Sequence, residues 1–217
     1  MAVIEDKVNE SSAPNDYLSD TFIKELNFKL WSTKGARFNC DKRLSLKARM
    51  SNISLAFISA YLIIASLITV FKIDIGISQN FLNFTITGLS ILVLVFSQFE
   101  NARNYSLKAK THHDSGLRIA ELYNELRIFK TLKSNPSNFE IYSFINNITK
   151  RYENVLSTSG NHSTLDYKRF LMSNIEYMKK ANPNKVKHLN KNKIRIAYYW
   201  DVYGWYFLLI IAPLIFF

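Results

Sequence analysis

The sequence contains one cysteine, Cys40, and four histidines in 217 residues. A lone thiol excludes an intrachain disulfide framework and any multi-cysteine zinc site. Two of the histidines are adjacent, in His112-His113-Asp114, and a third lies in Asn161-His162-Ser163-Thr164-Leu165-Asp166. Neighbouring histidines on a helix point about 100° apart, and neither group has the i, i+4 spacing of a helical metal site. Structural hydrogen bonding is therefore the expected role, and no metal or other cofactor is implied. A glycine-rich phosphate loop, a Gly-x-Ser-x-Gly turn and a catalytic triad are missing as well, so no catalytic residue is assigned and an enzyme is not expected. Internal repeats and strand patterns are absent.

Long uncharged runs are what the sequence has instead. Residues 51–71 carry no charge over 21 positions, a helix of about 31 Å against a hydrocarbon core of about 30 Å. Residues 75–99 carry none over 25, so a second helix can cross back after a short connection around Lys72, Asp74 and Gly76. Residues 196–217 form a third run, interrupted only by Asp201. The expected fold is an all-α membrane protein: a transmembrane helical hairpin (51–71 and 78–99) continuous with a cytosolic helical bundle, plus a third, C-terminal transmembrane helix at 196–217. A secretory signal is not expected, because about 50 polar and charged residues precede the first span.

Basic residues outnumber acidic ones by 28 to 17, and the excess is uneven. Residues 1–50 carry +2, the hairpin turn is neutral and residues 100–195 carry +10. The positive-inside rule places both polar regions in the cytoplasm and the turn outside.

Local signals divide the polar parts. Residues 1–16 read as a mobile tail broken at Ser11-Ser12-Ala13-Pro14-Asn15. A cytosolic helix over 17–50 follows, with Leu18, Phe22, Leu26 and Leu30 at every fourth position and Gly35 as its expected kink. The second membrane helix is expected to continue to about Leu132, where Asn135-Pro136-Ser137 stops it. Ser137 with Glu140, and Ser163 with Asp166, cap two further helices, the second reaching about Lys180. These cytosolic helices occupy 100–178, and a basic linker spans 179–195.

Three sets of residues are candidates for function. Asn83, Thr87, Ser90, Leu94, Ser97 and Asn101 fall on one face of the second span, as Asn52, Ala56, Ser59, Ile63 and Ser66 do on the first. Such a seam either packs helices closely or lines a water-filled pore in a homo-oligomer. Lys179, Lys180, Lys185, Lys187, Lys191, Lys193 and Arg195 form a run without an acidic residue. It suits anionic lipid of the inner leaflet, with a nucleic acid or nucleotide as the alternative. Asp201 stands among Tyr198, Tyr199, Trp200, Tyr203, Trp205 and Tyr206, an interfacial aromatic belt. It is expected either to be solvated or to pair with a base such as Arg49 or Arg103 and clamp the third helix at rest.

Leu30-Trp31-Ser32-Thr33-Lys34-Gly35-Ala36-Arg37-Phe38, then Lys42-Arg43-Leu44, the span from Ser51, Tyr152 to Leu156, and Asn161-His162-Ser163-Thr164-Leu165-Asp166-Tyr167 together resemble the SLATT family. The resemblance is to two-transmembrane effector domains associated with SMODS nucleotidyltransferases and SLOG sensors, and among them to the reverse-transcriptase-associated branch. It implies a membrane effector of a prokaryotic antiphage or conflict system, silent until a nucleotide, nucleic-acid or protein signal arrives. It also implies that Trp31, Thr33, Arg37 and Arg43 link the cytosolic helices to the first span, while Asn161, His162, Asp166 and Tyr167 hold the bundle together. The alternative is a membrane-anchored module that binds nucleic acid or a partner without conducting.

Overall fold

The computed structural model describes residues 22–133 and 135–216, the last five as backbone alone. The expected N-terminal tail and Leu18 lie outside the described residues. The rest is helical: α1 (Phe22–Val70), α2 (Gln79–Arg103), α3 (Tyr105–Leu132), α4 (Asn138–Thr158), α5 (Thr164–Ser173), α6 (Ile175–Ala181), α7 (Lys191–Tyr199) and α8 (Trp205–Phe216). A 3₁₀ turn covers Pro183–Lys185 and a π-helical turn covers Trp200–Gly204.

The described chain forms two compact units. The first combines the start of α1, up to Lys34, with 115–160. Its core interleaves Leu26 and Leu30 with Ile119, Leu122 and Leu126 and with Ile145, Ile148, Tyr152 and Val155, apolar positions that recur at helical spacing in all three segments. Phe129 stacks on Phe144 with ring centres 4.1 Å apart, and Arg151 grips Glu125 through two hydrogen bonds of 2.6 and 2.8 Å. The α4 helix begins with the expected capping box, in which the Ser137 side chain and the Glu140 carboxylate each accept the other's backbone N–H.

The second unit holds residues 35–114 and 161–217, and with them the hairpin. Two helices are long and apolar enough to cross a membrane, and both apolar windows are almost wholly exposed within the chain. A buried core helix would show the opposite. Phe57, Ile63, Ile64, Phe84, Leu92 and Leu94 are among the exposed side chains. The turn between the helices is made by Lys72 and Gly76 at positive φ, and Ser78 caps α2.

The α1 helix is continuous from Phe22 to Val70, and the Phe170 ring lies where a Cβ of Gly35 would sit. Three expectations about this region are corrected. The second helix does not run on to Leu132, because Asn104 adopts the left-handed conformation (φ 50°, ψ 43°) and separates α2 from α3. Asparagine tolerates that conformation better than most residues. The helix expected to reach Lys180 is divided into α5 and α6 at Asn174. Most consequentially, a third membrane helix over 196–217 is not found among the described residues. The run stays helical through the π turn, but its wholly uncharged part beyond that turn, α8, has 12 residues, about 18 Å of helix. Gly204 makes the turn possible, since a Cβ there would come within 2.8 Å of the Trp200 indole. The turn also sets the direction of Asp201.

Candidate functional site

One face of α1, just before its membrane-length stretch, carries Ala36, Arg37, Cys40, Arg43 and Leu44, all buried, and Lys47 one turn on. The spacing of three and four puts them in a single stripe, yet three of the six are cationic. Burying a guanidinium is tolerable only if its donors are matched. Arg43 meets that demand with a planar two-point contact to Asp166, Nε to Oδ1 at 2.8 Å and Nη2 to Oδ2 at 2.9 Å. Its remaining Nη1 donates to Asp201 Oδ2 at 2.9 Å. Lys47 donates to the other oxygen of Asp201 at 2.7 Å. Two cations and two carboxylates thus balance.

Each carboxylate is placed by local structure. Asp166 is fully buried in the first turn of α5, where Oδ2 also accepts the Ser163 N–H as half of a capping box. Asn39 reaches the Asp166 carbonyl at 3.1 Å. Asp201 sits in the π turn, a geometry often found where a helix must re-aim one side chain. Its partners are Arg43 and Lys47, not Arg49 or Arg103; Arg103 pairs with Glu100 at 2.9 Å. Although burial raises the Asp201 carboxyl, the hydrogen bonds from Lys47 and Arg43 outweigh it and hold the group below its ordinary range. Burial likewise lowers the Arg43 guanidinium, and the hydrogen bonds and charge of Asp166, then Asp201, more than reverse this. Tyr206 adds a neutral contact, donating to Glu100 Oε2 at 2.8 Å.

One turn earlier, the fully buried Arg37 donates from Nη1 to His112 Nδ1 at 2.9 Å, which fixes the His112 proton on Nε2. Burial, then the neighbouring Arg37, keeps both His112 and His162 below the ordinary imidazole value. Cys40 is pushed up to about 12 by burial and then by Asp166, so it is an inert thiol. Among the described residues no group of three or more His, Cys, Asp or Glu is placed to hold a metal ion.

The profile of SLATT_5, SMODS and SLOG-associating 2TM effector domain family 5, matches residues 19–217. The chain belongs to this family. No curated protein and no solved structure matches it. Among the SLATT_5 chain's expected motif residues, Arg37, Arg43, His162 and Asp166 fall in the second unit around this network. Tyr167 is half-buried beside His162, ring centres 6.4 Å apart, whereas Asn161 is exposed. Thr33 and Trp31 belong to the first unit, where Thr33 meets the Tyr152 hydroxyl at 2.9 Å and Trp31 packs on Phe28. Lys47 and Asn39 were not singled out by sequence; only their position on the Arg37–Arg43 stripe could have marked them.

The two seams of the hairpin face outward. Asn52, Ala56, Ser59 and Ile63 are exposed and Ser66 half-buried on α1; Asn83, Thr87, Ser90, Leu94 and Asn101 are exposed and Ser97 half-buried on α2. The buried residues along the two spans are Ser51, Ser54, Ala65, Leu82 and Glu100. Ser66, Thr87, Ser90 and Ser97 each donate to a carbonyl of their own helix, at 2.7 to 2.9 Å. Their donors are therefore satisfied without water, and each oxygen still offers a lone pair outward. The seven basic side chains from Lys179 to Arg195 are all exposed.

Proposed function

We propose that the chain is the membrane effector of a prokaryotic antiphage or conflict system: a homo-oligomer in the bacterial inner membrane, silent at rest and leaky once a cytosolic signal reaches it. The observation that carries this reading is the outward direction of both polar seams. A single hairpin has no use for small and polar side chains on its lipid side, whereas copies packed through them bury the stripes against one another or around water. Family membership supports an effector role and a partner of SMODS nucleotidyltransferase or SLOG type; a reverse transcriptase is the partner implied by the branch that the motifs resemble. A nucleotide or nucleic acid is the corresponding signal.

In this reading the four-charge network is the resting clamp. Breaking a buried ion pair costs about 3–5 kcal/mol, but replacing the whole pair by apolar groups is often neutral. Such a network is therefore better suited to holding one arrangement than to adding stability, and Asp201, its most exposed member, is where it opens. The alternative, a membrane-anchored module that binds nucleic acid or a partner without conducting, draws on the seven exposed basic residues. Co-expression with the cognate partner separates the two. The effector depolarises the cells, read by a potential-sensitive dye, whereas an anchor relocates its ligand to the membrane and leaves the potential intact.

A further inference from the structure

The basic segment does not present its charge evenly. Between the end of α5 and the start of α7 lies a cavity of about 590 Å³ whose lining includes Lys179, Lys187 and Lys191. The three come from different pieces of backbone: the last turn of α6, the turn after the 3₁₀ segment, and the first residue of α7. None of their ammonium groups has a hydrogen bond or ion pair among the described residues, and no acidic residue lines the cavity. Beneath them are Met172, Ile175 and Val186, the last of them buried.

A second cavity of the same unit gives the contrast. It is of similar size, about 630 Å³, and its cations Arg49 and Lys110 are offset by Asp41 and Asp114, with Asp41 bonded to His113 at 3.0 Å. An anion entering it would meet two carboxylates. In the cavity of α6 and α7 it would meet three uncompensated ammonium groups above an apolar floor.

We propose that this cavity binds a phosphate ester, with the phosphate oxygens on Lys179, Lys187 and Lys191 and the less polar part of the ligand on Met172, Ile175 and Val186. Three point charges match a group carrying two or more negative charges better than a carboxylate, which would neutralise one. A fully hydrated inorganic ion would leave the apolar floor unused, and a few polar groups set over an apolar lining is the usual composition of a small-ligand site. The ester can come from an anionic phospholipid or from a soluble nucleotide. The proposal deepens the role given above to the basic segment, and its test reads binding, not leakage, so either can fail alone.

Full-length protein in detergent is titrated by calorimetry with dihexanoyl phosphatidic acid, with ADP, and with zwitterionic dihexanoyl phosphatidylcholine. Saturable binding of phosphatidic acid or ADP is expected, identifying the lipid or the soluble source, with none for phosphatidylcholine. The triple variant Lys179→Gln, Lys187→Gln, Lys191→Gln weakens it about tenfold or more. The variant Lys108→Gln, Lys110→Gln, Lys150→Gln, which has the same net charge, does not. Replacing the three cavity lysines with arginine retains binding. Equal weakening by both glutamine triples, or saturable binding of neither phosphate, overturns the proposal.

Discussion

Asp201→Asn is the perturbation that reads the clamp most cleanly. The substitution keeps the shape and one acceptor oxygen, but removes the charge from two short contacts, 2.9 Å to Arg43 and 2.7 Å to Lys47. A buried hydrogen bond to a charged group contributes about 1.5–3 kcal/mol and an exposed ion pair about 0.2–1 kcal/mol. The Asp201 side chain is 34% exposed while those of Arg43 and Lys47 are 10% and 14% exposed. With water screening allowed for, the two contacts together contribute about 2 kcal/mol. Arg43 remains satisfied by Asp166, so the bundle still folds. A loss of about 2 kcal/mol shifts the equilibrium toward the released state about 30-fold. Hydrogen exchange over residues 191–211 should accelerate by a comparable factor, and cells expressing the variant should depolarise without the trigger. Because the folded carboxyl lies below its ordinary value of about 3.9, its contribution is intact above that pH and is lost only as pH falls through the lower folded value. The clamp is therefore insensitive to pH between 5 and 8. Asp166→Asn is the contrasting variant: its carboxylate is fully buried, and losing it costs about 3–5 kcal/mol and the fold itself. An Asp201→Asn protein with unchanged exchange at 191–211 and a normal resting potential would refute the clamp.

Two further outcomes follow from the same unit. Gly35→Ala, which favours an ordinary helix by about 1 kcal/mol, should instead lower the melting temperature because the new methyl meets Phe170; adding Phe170→Ala should recover part of the loss, and a stabilised Gly35→Ala protein would contradict the packing. His112 and His162 sit below the ordinary imidazole value, so the stability they confer is complete above about pH 6.5 and declines as pH falls below it. Thermal unfolding in detergent should therefore shift downward between pH 7.5 and 5.5, and a flat profile would contradict the buried, neutral assignment.

Local chemistry made much of this fold legible. The capping boxes at Ser137 and Ser163 and the apolar periods of α1, α3 and α4 are written within a few residues, so the helices and the hairpin could be read directly. The packing reason for Gly35 is the Phe170 ring, more than a hundred positions away, and no local rule reveals it. The break at Asn104 carried a signal, an asparagine able to take a left-handed turn, but sat inside an otherwise helical pattern. The π turn in the C-terminal run depends on Gly204 against Trp200 and on the pull of Arg43 and Lys47 on Asp201, and hydropathy sees neither. The partners of Asp201 lay on the Arg37–Arg43 stripe; Arg49 and Arg103, chosen for nearness to the membrane, lacked the required face.

The central claim, that copies of this chain open the bilayer through the outward seams, is tested most directly in liposomes. Purified protein is reconstituted into vesicles containing 20% phosphatidylglycerol and loaded with a small fluorescent dye, and release is followed for the constitutive Asp201→Asn protein with and without Ser90→Leu and Ser97→Leu. The account predicts release from Asp201→Asn vesicles and its loss in the triple variant at equal insertion. Equal release from both would contradict it.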